Sequence, residues 1–384
     1  MRIADVCAFY SPRGGGVRTY VEQKLLIGPR LGHDITIIAP GERDEIVEYG
    51  PAARIAFLAS PRFPLDRKYR YFADEPALHR ALDRAEPDVV EVASPWRSPL
   101  MVARWPAPVP RTLVMHADIL SAYAYRWLQP IFKRPTIDRQ MERYWAHLRH
   151  LGRQFDRVIC ASEDLRSRLA AGGVANAVTH PMGVEADLFS PALRDEATRA
   201  NLLRKCDLPA SASLLLAIGR LAPEKRWPMV VDAVTAASRA RPIGLIMLGE
   251  GRDARAVRSA IGGNPHIRLF EPERHRPTFA RYVASADALI HGCEAETFCM
   301  VAAEARASGV PVIVPDRGGA ADHARHGGGW TYTACSSRSA SEAIARALAS
   351  PEWVAAPAAR TMEHHFTDLF ADYEALISGS RRAA

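Results

Sequence analysis

The sequence predicts an α/β protein built from two doubly wound, Rossmann-like domains. Short apolar runs alternate with helix-like segments along the chain, which is the pattern of strand–helix units in a parallel sheet. The alternation forms two series, separated by a polar, proline-containing stretch near residue 190. A length of 384 residues exceeds one ordinary hydrophobic core. Because such sheets bind ligands beyond the carboxyl ends of their strands, we expect the domains to face each other across a cleft that holds the site.

The first series begins with the apolar run MRIADVCAFY at the N-terminus. Four further runs are predicted to be strands, at residues 34–40, 87–95, 111–117 and 156–162. Their continuous content of valine, isoleucine and leucine is typical of strands buried on both faces of a parallel sheet. Residues 18–31 are predicted to form a helix that ends at Gly32, a residue suited to the left-handed C-cap.

The second series contains five apolar runs, at residues 213–220, 243–251, 266–272, 287–292 and 310–316. We therefore assign residues 1–192 to an N-terminal domain and residues 193–363 to a C-terminal domain. The last predicted helix, at residues 364–380, carries aromatic side chains on one stripe. We expect this helix to pack back on the N-terminal domain.

The charge balance favours anionic partners. The chain has 50 Lys and Arg against 43 Asp and Glu, with a net charge of +7, which suits phosphorylated small molecules, anionic lipid or nucleic acid. No apolar run approaches the roughly 18–20 residues that cross a bilayer, and the N-terminus lacks a signal-peptide pattern, so we expect a cytoplasmic protein. The six cysteines form no Cys-x-x-Cys pair, which predicts neither a zinc site nor a disulfide framework.

The stretch SPRGGGVRTY, residues 11–20, places three glycines between the first predicted strand and the first predicted helix. Glycine allows a ligand to approach the main chain, and the helix N-terminus that follows attracts anions. The stretch is not a Walker A loop, and its third dinucleotide-binding glycine is missing, since Thr19 stands there. Two interpretations remain at this point, a tight strand-to-helix turn and a phosphate-binding loop.

The most informative stretch is EAETFCMVAAEARASGVPVIVPDRGG, residues 294–319. Glu296 and Glu304 are eight residues apart, and a helix-like run between them would place both carboxylates on one helix face. The backbone N–H groups of Thr297 and Phe298 would be free at the start of that helix. Carboxylates that face a cleft make strong hydrogen bonds to sugar hydroxyls. An exposed helix with two solvated glutamates is the alternative.

This stretch resembles the E-x7-E segment of the retaining GT-B glycosyltransferases of family 4. Other parts of the chain resemble further motifs of that family in the same order: SPRGGGVRTY its N-terminal glycine loop, VMHAD (114–118) its first-domain histidine, HPMGVEADLFSP (180–191) its linker, GRLAPEKR (219–226) its Gly-Arg-x-x-x-x-Lys motif and LGEGRDAR (248–255) its Gly-x-Gly turn. The resemblance therefore covers most of the chain and predicts the GT-B fold.

The resemblance implies a nucleotide-sugar donor site in the C-terminal domain. Arg220 and Lys225 would stabilise the diphosphate as it gains charge, and Glu304 would bind the ribose hydroxyls. Glu296, with the amides of Thr297 and Phe298, would hold the donor sugar and the distal phosphate. Further donor contacts are implied for Gly15, Gly16 and Gly249.

In the N-terminal domain, which the resemblance makes the acceptor side, His116 would lie beside the transferred sugar and Asp118 would contact the acceptor or orient His116. No cofactor is implied, and because the chain contains no Asp-x-Asp, we predict no metal. The implied mechanism is a front-face transfer in which the leaving phosphate deprotonates the acceptor.

Four positions depart from the family pattern. Cys299 stands where glycine is usual, Met182 where asparagine is common, Glu185 where aspartate is common, and Asp322 where glutamate is usual. These departures concern the fit of the donor and leave the predicted fold unchanged.

The segment of residues 123–157 is the most basic part of the chain. From Arg126 to Arg157 it holds eight Lys or Arg against three Asp or Glu, interleaved with aromatic residues. Such a mixture suits an anionic membrane face, although a solvated helix with a core-facing aromatic stripe is an equal alternative. With the resemblance to lipid-directed mannosyl- and sulfoquinovosyltransferases, it favours a lipid or lipid-linked saccharide as acceptor, and a peripheral position on the inner face of the cell membrane.

Three other functions compete with this hypothesis. A GT-B sugar-nucleotide epimerase would cleave the same bond and release sugar without an acceptor. A nucleic-acid-binding protein would suit the high pI, but none of its usual modules is evident, so no nucleic acid is predicted as a partner. An NAD-dependent oxidoreductase would need the missing third glycine. The sequence leaves open whether the donor carries UDP or GDP.

Overall fold

The structure is a computed structural model that describes residues 1–10, 16–64, 69–129, 131–349 and 360–383. The chain divides into two compact units. The N-terminal unit comprises Met1–Asp118, Leu128–Pro181 and Met362–Ala384, and the C-terminal unit comprises Ile119–Trp127 and Met182–Thr361. The change between units thus falls at Pro181, eleven residues before the boundary expected from the sequence, and the short segment Ile119–Trp127 groups with the C-terminal unit.

Residues 1–181 contain eight strands and seven helices in the described ranges. They are β1 (Arg2–Cys7), α1 (Gly16–Arg30), β2 (Asp34–Gly41), β3 (Glu45–Gly50), β4 (Ala53–Ala59), α2 (Glu75–Ala85), β5 (Val89–Ala93), α3 (Arg97–Ala103), β6 (Arg111–Val114), the π-helical turn Leu120–Tyr125, α4 (Arg126–Leu128), α5 (Arg134–Gln140), α6 (Glu142–Gln154), β7 (Arg157–Cys160), α7 (Glu163–Ala171) and β8 (Ala177–Thr179).

These eight strands form one sheet in the order β3-β4-β2-β1-β5-β6-β7-β8. All neighbours pair in parallel except β3 and β4, which form an antiparallel edge hairpin. The register sets Asp5 of β1 beside Glu91 of β5 at the centre of the sheet. The sequence predicted the central strands but missed β3, β4 and β8. The side chains of β3 are mostly exposed and form no apolar run, and β8 has only three residues.

The remaining elements in the described ranges are the 3₁₀ turn Pro191–Leu193, α8 (Glu196–Lys205), β9 (Ser213–Ile218), the 3₁₀ turn Pro223–Lys225, α9 (Trp227–Ala237), β10 (Ile243–Leu248), α10 (Ala254–Ile261), β11 (Ile267–Phe270), α11 (Arg276–Ala284), β12 (Ala288–Ile290), α12 (Met300–Ala307), β13 (Val312–Pro315), α13 (Gly319–His323), the π-helical turn Ala324–Gly328, β14 (Gly329–Tyr332), α14 (Ser337–Ala349) and α15 (Met362–Ala383).

The sheet of the C-terminal unit is parallel throughout, in the order β11-β10-β9-β12-β13-β14. Each of the five predicted runs forms one of its strands, and β14 was not predicted. The buried side chains of the central strands and of helices α9 and α14 make one hydrophobic core. The strand order reverses between β9 and β12, and such a reversal opens a ligand crevice at the carboxyl ends of the two strands.

Local sequence signals set the ends of several helices. The Asp74 side chain accepts a hydrogen bond from the amide of Ala77 at the start of α2, and Asp195 accepts from two amides at the start of α8. These are N-caps of the expected residue type. Gly32 follows the end of α1 with a φ of 83°, as the sequence predicted. Within the described ranges, none of the helices combines the length and apolar character that a bilayer crossing requires.

Candidate functional site

The loops that follow three neighbouring strands of the C-terminal unit carry most of the predicted site residues. Gly249 follows β10, Arg220 and Lys225 follow β9, and Glu296 follows β12. Because these strands are parallel neighbours, their loops all emerge at one edge of the sheet. The predicted residues therefore lie where a doubly wound sheet presents its ligand site.

Lys225 and Glu296 form the centre of this edge. The Lys225 ammonium donates to Oε1 of Glu296, across 71 residues of sequence, and Nε2 of His291 lies 3.1 Å from the same oxygen. The lysine side chain keeps 14% of its surface exposed, whereas His291 is fully enclosed. One carboxylate oxygen thus holds both groups in place, and the lysine side chain remains partly exposed.

The pKa values of the three groups define their charges. Burial opposes the charge of Lys225, but Glu296 outweighs burial, and the pKa of the lysine is raised. Burial would raise the pKa of Glu296, but Lys225 and His291 outweigh it and hold that pKa well below its usual range. Burial lowers the pKa of His291. The lysine is therefore charged, the glutamate ionised and the histidine neutral at pH 7, so Nε2 of the histidine donates to the glutamate.

A second ion pair ties the same two loops together. Arg226 donates to the Glu294 carboxylate through Nε at 2.7 Å and through Nη2, and Glu294 is buried. Arg226 itself adopts a left-handed conformation, with a φ of 50°, at the start of α9. A fork-shaped pair of this kind fixes orientation as well as distance, so the loops after β9 and β12 are rigidly joined beside Lys225.

The interpretation that Glu296 and Glu304 share one helix face is wrong. Helix α12 begins at Met300, so Glu296 lies in the loop before it and only Glu304 is helical. The helix cannot start earlier because Cys299 has a φ of 73° and a ψ of 74°, a left-handed conformation that breaks the helical repeat. This is the position at which the family usually has glycine, the residue that adopts such a conformation without strain.

Thr297 and Phe298 lie in the same loop, against the glycine pair that follows β13. A Cβ atom on Gly319 would lie 2.6 Å from the Phe298 nitrogen, and the Gly319 amide donates to the Glu296 carbonyl at 2.6 Å. The Phe298 carbonyl accepts a hydrogen bond from Nε2 of His323 at 2.8 Å. Backbone contacts at this distance require glycine, so the loop of Glu296 is shaped by the following strand–helix turn.

Glu304 belongs to a separate charged group at the same end of the unit. Nη2 of Arg276 donates to the Glu304 carboxylate at 3.0 Å, and the same guanidinium pairs with Glu185. The rings of Phe189 and Phe279 flank the guanidinium at 5.2 and 5.3 Å. Burial raises the pKa of Glu304 to about 7, against the opposing effect of Arg276. Glu304 therefore changes its charge close to neutral pH.

Gly249 is required by the backbone around it. A Cβ atom at this position would lie 2.1 Å from the Gly219 carbonyl oxygen. Gly251 has a φ of 154°, and a Cβ atom there would lie 2.3 Å from the Leu221 carbonyl oxygen. The Gly-x-Gly turn thus lets the loop after β10 pack directly on the loop that carries Arg220 and Lys225.

Arg220 differs from Lys225 in its exposure. Its side chain is 75% exposed and donates to Glu224 at 3.2 Å. Only its carbonyl is fixed, by a hydrogen bond of 2.9 Å from the indole of Trp227. Arg220 is therefore an exposed cation, while Lys225 is largely enclosed by its partners.

In the N-terminal unit, His116 follows β6 directly. Its ring packs edge-on against Tyr20 at 4.9 Å, and Tyr20 in turn lies 3.3 Å from Nε2 of His365 in α15. Burial lowers the pKa of His116 to about 4. The histidine is therefore neutral at pH 7, and its ring is positioned by aromatic contacts from α1.

Asp118, the weaker acceptor-side prediction, is held in an ion pair. Arg168 of α7 donates to both of its oxygens, one at 3.2 Å. Gly16 is the first residue of α1, and among the described residues no atom outside its own helix backbone and chain neighbours lies within 4 Å of the position that its Cβ would take. Gly15 and the rest of residues 11–15 lie outside the described residues, so the predicted glycine loop is represented here by Gly16 alone.

One group of side chains in the described ranges has the composition of a metal site. The ligand atoms of His291, Glu296 and Cys299 lie within 4.8 Å of one another. The Lys225 ammonium already occupies the Glu296 oxygen that faces His291, and burial raises the pKa of the Cys299 thiol. A cation would have to displace the ammonium and deprotonate the thiol, so these residues fit a metal poorly.

The basic segment of residues 123–157 divides into two parts. In α6, Trp145 is buried with Leu148 and Leu151. This part of the segment is therefore a helix whose apolar stripe faces the core, as the alternative interpretation of the sequence predicted. Nearer its start, large apolar side chains are exposed: Tyr123, Trp127, Ile131 and Phe132. Ile131 is 75% exposed, and the neighbouring Lys133 is exposed as well. The membrane interpretation is thereby confined to residues 123–129 and 131–134.

The sequence did not identify His291, Arg226 or Arg276 as part of the site. Each contacts a predicted residue or its loop, but the partners of the two arginines are distant along the chain, Arg276 and Glu185 being 91 residues apart. His291 lies five residues before Glu296 and could have been found, because it directly follows the apolar strand β12 and shortly precedes the acidic stretch.

Comparison with known proteins gives consistent matches over both units. The family model described as "Glycosyltransferase Family 4" matches residues 14–188, and "Glycosyl transferases group 1" matches residues 199–363. A "GDP-mannose-dependent alpha-mannosyltransferase" of Mycobacterium tuberculosis is 32% identical over 84% of this chain and 81% of its own.

Two further proteins extend the comparison. A "GDP-mannose-dependent alpha-(1-6)-phosphatidylinositol dimannoside mannosyltransferase" of Mycobacterium tuberculosis is 30% identical over 82% of this chain and 79% of its own. The structure of sucrose-phosphate synthase from Thermosynechococcus elongatus superposes with a TM-score of 0.70 and 19% identity, over 99% of this chain and 97% of that one. The structural likeness shows the fold, and it confirms the predicted GT-B class with two Rossmann-like units.

Proposed function

Because this chain belongs to glycosyltransferase family 4, we propose that it transfers a mannosyl group from GDP-mannose to a hydroxyl of a lipid-linked acceptor. The chain is a glycosyltransferase, and the donor and acceptor are the proposed part. The names of two relatives support them, one dependent on GDP-mannose and one that adds mannose to phosphatidylinositol dimannoside. The resemblance in the sequence left UDP and GDP equally open, and these relatives favour GDP.

The observation that carries the proposal is the Lys225 ammonium, held by Glu296 at the carboxyl ends of β9 and β12. It is charged, partly exposed and fixed by a short contact. During transfer the bond from the sugar C1 to the phosphate oxygen breaks, and that oxygen gains negative charge. A fixed cation stabilises this charge more in the transition state than in the ground state. Arg220, which is exposed, would add a second cation once the diphosphate is bound.

The remaining donor contacts follow from the family and agree with the chemistry of the residues. Ionised Glu304 would accept hydrogen bonds from the two ribose hydroxyls. Glu296 and the amides of Thr297 and Phe298 would hold the sugar and the distal phosphate. Gly16 and Gly15 would approach that phosphate at the N-terminus of α1, and Gly249 would support the Lys225 loop through its close packing on Gly219.

The neutral state of His116 supports a front-face, retaining mechanism. A histidine with a pKa of about 4 is a weak base at pH 7, so the acceptor proton needs another destination. In the proposed step the acceptor oxygen bonds to C1 on the face that the phosphate leaves, and its proton passes to the departing phosphate oxygen. His116 would hydrogen-bond a hydroxyl of the transferred sugar, and Asp118, paired with Arg168, would contact the acceptor.

We propose that transfer needs no metal ion. Lys225 and Arg220 provide the positive charge that a bridging cation supplies in metal-dependent transferases. The group of His291, Glu296 and Cys299 does not take that role, since Lys225 holds the carboxylate. The enzyme therefore uses no cofactor besides its nucleotide-sugar substrate.

The acceptor would be reached at a membrane surface. The exposed Trp127, Ile131 and Phe132 lie in sequence beside Arg126, Lys133 and Arg134, which is the composition of an interfacial, anion-seeking segment. We propose a cytoplasmic enzyme that binds the inner face of the cell membrane peripherally through residues 123–134. In this proposal residues 1–192 serve the acceptor, residues 193–363 bind the donor, and nucleic acid is not a partner.

The proposal is tested by incubating the purified protein with labelled GDP-mannose, EDTA and vesicles that contain phosphatidylinositol dimannoside. We expect labelled lipid with an α-linked mannose, identified by NMR of the product. UDP-glucose and ADP-glucose serve as competing donors. Transfer only after addition of a divalent cation would contradict metal independence, and free mannose released without acceptor would favour the epimerase-like alternative.

A matched pair of variants locates the activity. Glu304→Gln should lose most transfer through weaker donor binding, while Arg239→Gln, on the exposed face of the same unit, should retain it. Equal activity in both variants would remove Glu304 from the donor site.

A further inference from the structure

Arg126 is a nearly buried arginine whose charge is incompletely matched. Its side chain is only 10% exposed, and within the described ranges its Nε and Nη1 atoms are enclosed without any hydrogen-bond acceptor. A buried donor without a partner is costly, and more so when it is charged. Such a group is suited to bind oxygen atoms of a ligand.

The surroundings hold this guanidinium in a fixed position. Arg126 belongs, like residues 119–127 as a whole, to the C-terminal unit. Its Cζ atom lies 5.4 Å from the centre of the Trp127 ring and 6.0 Å from that of Tyr123. Flanking aromatic faces attract a guanidinium and restrict it. The fork of N–H donors is thereby pre-organised before any ligand binds.

In the described part of the chain, Arg126 has one ion-pair partner, Glu224, and that carboxylate is shared. Oε2 of Glu224 lies 3.8 Å from Nη1 of Arg126, which is an ion pair but too long for a hydrogen bond. Oε1 of the same carboxylate accepts from Arg220 at 3.2 Å. Glu224 directly precedes Lys225 in the 3₁₀ turn Pro223–Lys225. One glutamate thus stands between two arginines, beside the lysine on which the proposed function depends.

We propose that Arg126 binds a phosphoryl oxygen of a substrate, at the place that Glu224 covers in the free protein. A phosphate has the oxygen geometry that a guanidinium fork binds in two hydrogen bonds. Its arrival displaces the Glu224 carboxylate toward solvent and uncovers Nη1 of Arg126. The inference deepens the proposed function and rests on it, because it assigns a third cation, besides Arg220 and Lys225, to the same substrates.

The phosphoryl oxygen has two possible sources, the diphosphate of the donor and the phosphate of an anionic acceptor lipid. Calorimetric titration with GDP and with GMP tests the first source. The KM for vesicle-borne phosphatidylinositol dimannoside, against that for uncharged octyl α-mannoside, tests the second. The variants are Arg126→Gln, Arg126→Lys and Glu224→Gln, with Arg239→Gln as the matched exposed control.

We expect Arg126→Gln to weaken GDP binding, or to raise the KM of the anionic acceptor, by roughly 10- to 100-fold, as for the loss of a charge-assisted hydrogen bond. GMP binding and the KM of octyl α-mannoside should change far less. Arg126→Lys should recover part of the loss, since it keeps the charge without the fork. Glu224→Gln should leave the affinity equal or increase it, because the competing carboxylate is removed.

A purely structural Arg126–Glu224 contact predicts another pattern. Both substitutions would then lower the melting temperature together and change all four ligands alike. That result, or unchanged GDP affinity and acceptor KM in Arg126→Gln, overturns the inference while the proposed function stands. If the wild-type protein binds no nucleoside diphosphate, the proposed function fails, and the inference fails with it.

Discussion

Each unit of the molecule contains a lysine that pairs with acidic side chains. One of the two lysines is fully buried within the sheet, and the other lies partly exposed beyond the strand ends. Lys24 of α1 lies 2.7 Å from Asp5 and 2.7 Å from Glu91, with 0% of its side chain exposed. Asp5 and Glu91 stand in the middle of adjacent strands. Lys225 pairs with Glu296 in loops beyond the strand ends, and it remains 14% exposed.

This difference separates a charge that holds the fold from a charge that serves a ligand. The hydroxyl of Tyr373 donates to Glu91 at 2.6 Å, so the Lys24 group also ties α15 to the sheet. Burial raises the pKa of Asp5 to about 7, against the opposing effect of Lys24. A substrate cannot reach these groups as they stand. Lys225 has its partner in a loop beyond the strand ends, and its side chain remains partly exposed, which suits a cation that meets a phosphate.

The largest expected effect is on stability, from Lys24→Met. The substitution leaves Asp5 and Glu91 buried beside each other without a counter-ion, and such a loss costs about 3–5 kcal/mol. Lys225→Met should cost about 1 kcal/mol, because water can solvate Glu296 in its place. Urea denaturation of both variants measures the difference. Equal losses of unfolding free energy would mean that the two lysines are not distinct in role.

The next effect is on activity, from Lys225→Met. Removal of one fixed group that stabilises transition-state charge lowers kcat by about 100- to 1,000-fold. We expect this loss with a nearly unchanged melting temperature, measured by mannosyl transfer and by thermal unfolding of the same sample. Arg239→Gln is the control for a lost surface charge. Wild-type kcat in Lys225→Met would place the catalytic cation elsewhere.

A smaller effect should appear in the pH dependence of donor binding. Glu304 has a pKa of about 7, raised by burial, and only its ionised form accepts hydrogen bonds from both ribose hydroxyls. Affinity should therefore fall as the pH decreases through 7, by about tenfold from pH 8 to pH 6. Calorimetric titration with GDP over this range measures it. Glu304→Gln should show weaker binding without that slope, and an unchanged slope would assign the titration to another group.

The smallest effect concerns the loop that presents Glu296. Cys299 has a φ of 73°, so Cys299→Gly should relieve backbone strain and raise the free energy of unfolding by about 1 kcal/mol. Cys293→Gly, at a buried position without positive φ, should lower it. Thermal unfolding distinguishes the two. A loss of stability in both variants would show that packing of the thiol outweighs the strain at Cys299.

The sequence was informative about the fold wherever strands are buried on both faces. Their apolar runs located five of the six strands of the second sheet and the central strands of the first. It failed at β3, whose side chains are mostly exposed, and at β14, whose four residues carry little apolar signal. It also placed Glu296 on a helix, because a run of helix-forming residues does not reveal the left-handed Cys299 that delays the start of α12.

For the site, the sequence identified residues that lie in motifs and missed residues that act through distant contacts. Lys225 and Glu296 were both predicted, each from its own motif, although they are 71 residues apart. Arg276 was not predicted, because its pairing with Glu304 and Glu185 depends on how α11 packs on its neighbours. Lys24 was missed for the same reason: its partners, 19 and 67 residues away, meet only through strand register.

If the loops around Lys225 and Glu296 bind a nucleoside diphosphate, amide hydrogen–deuterium exchange of the wild-type protein with and without saturating GDP, in EDTA, detects it directly. We expect slower exchange in residues 219–226 and 291–299 on GDP binding, with the β3–β4 hairpin unchanged as an internal reference. Bound GDP that leaves both loops exchanging as in the free protein would contradict it.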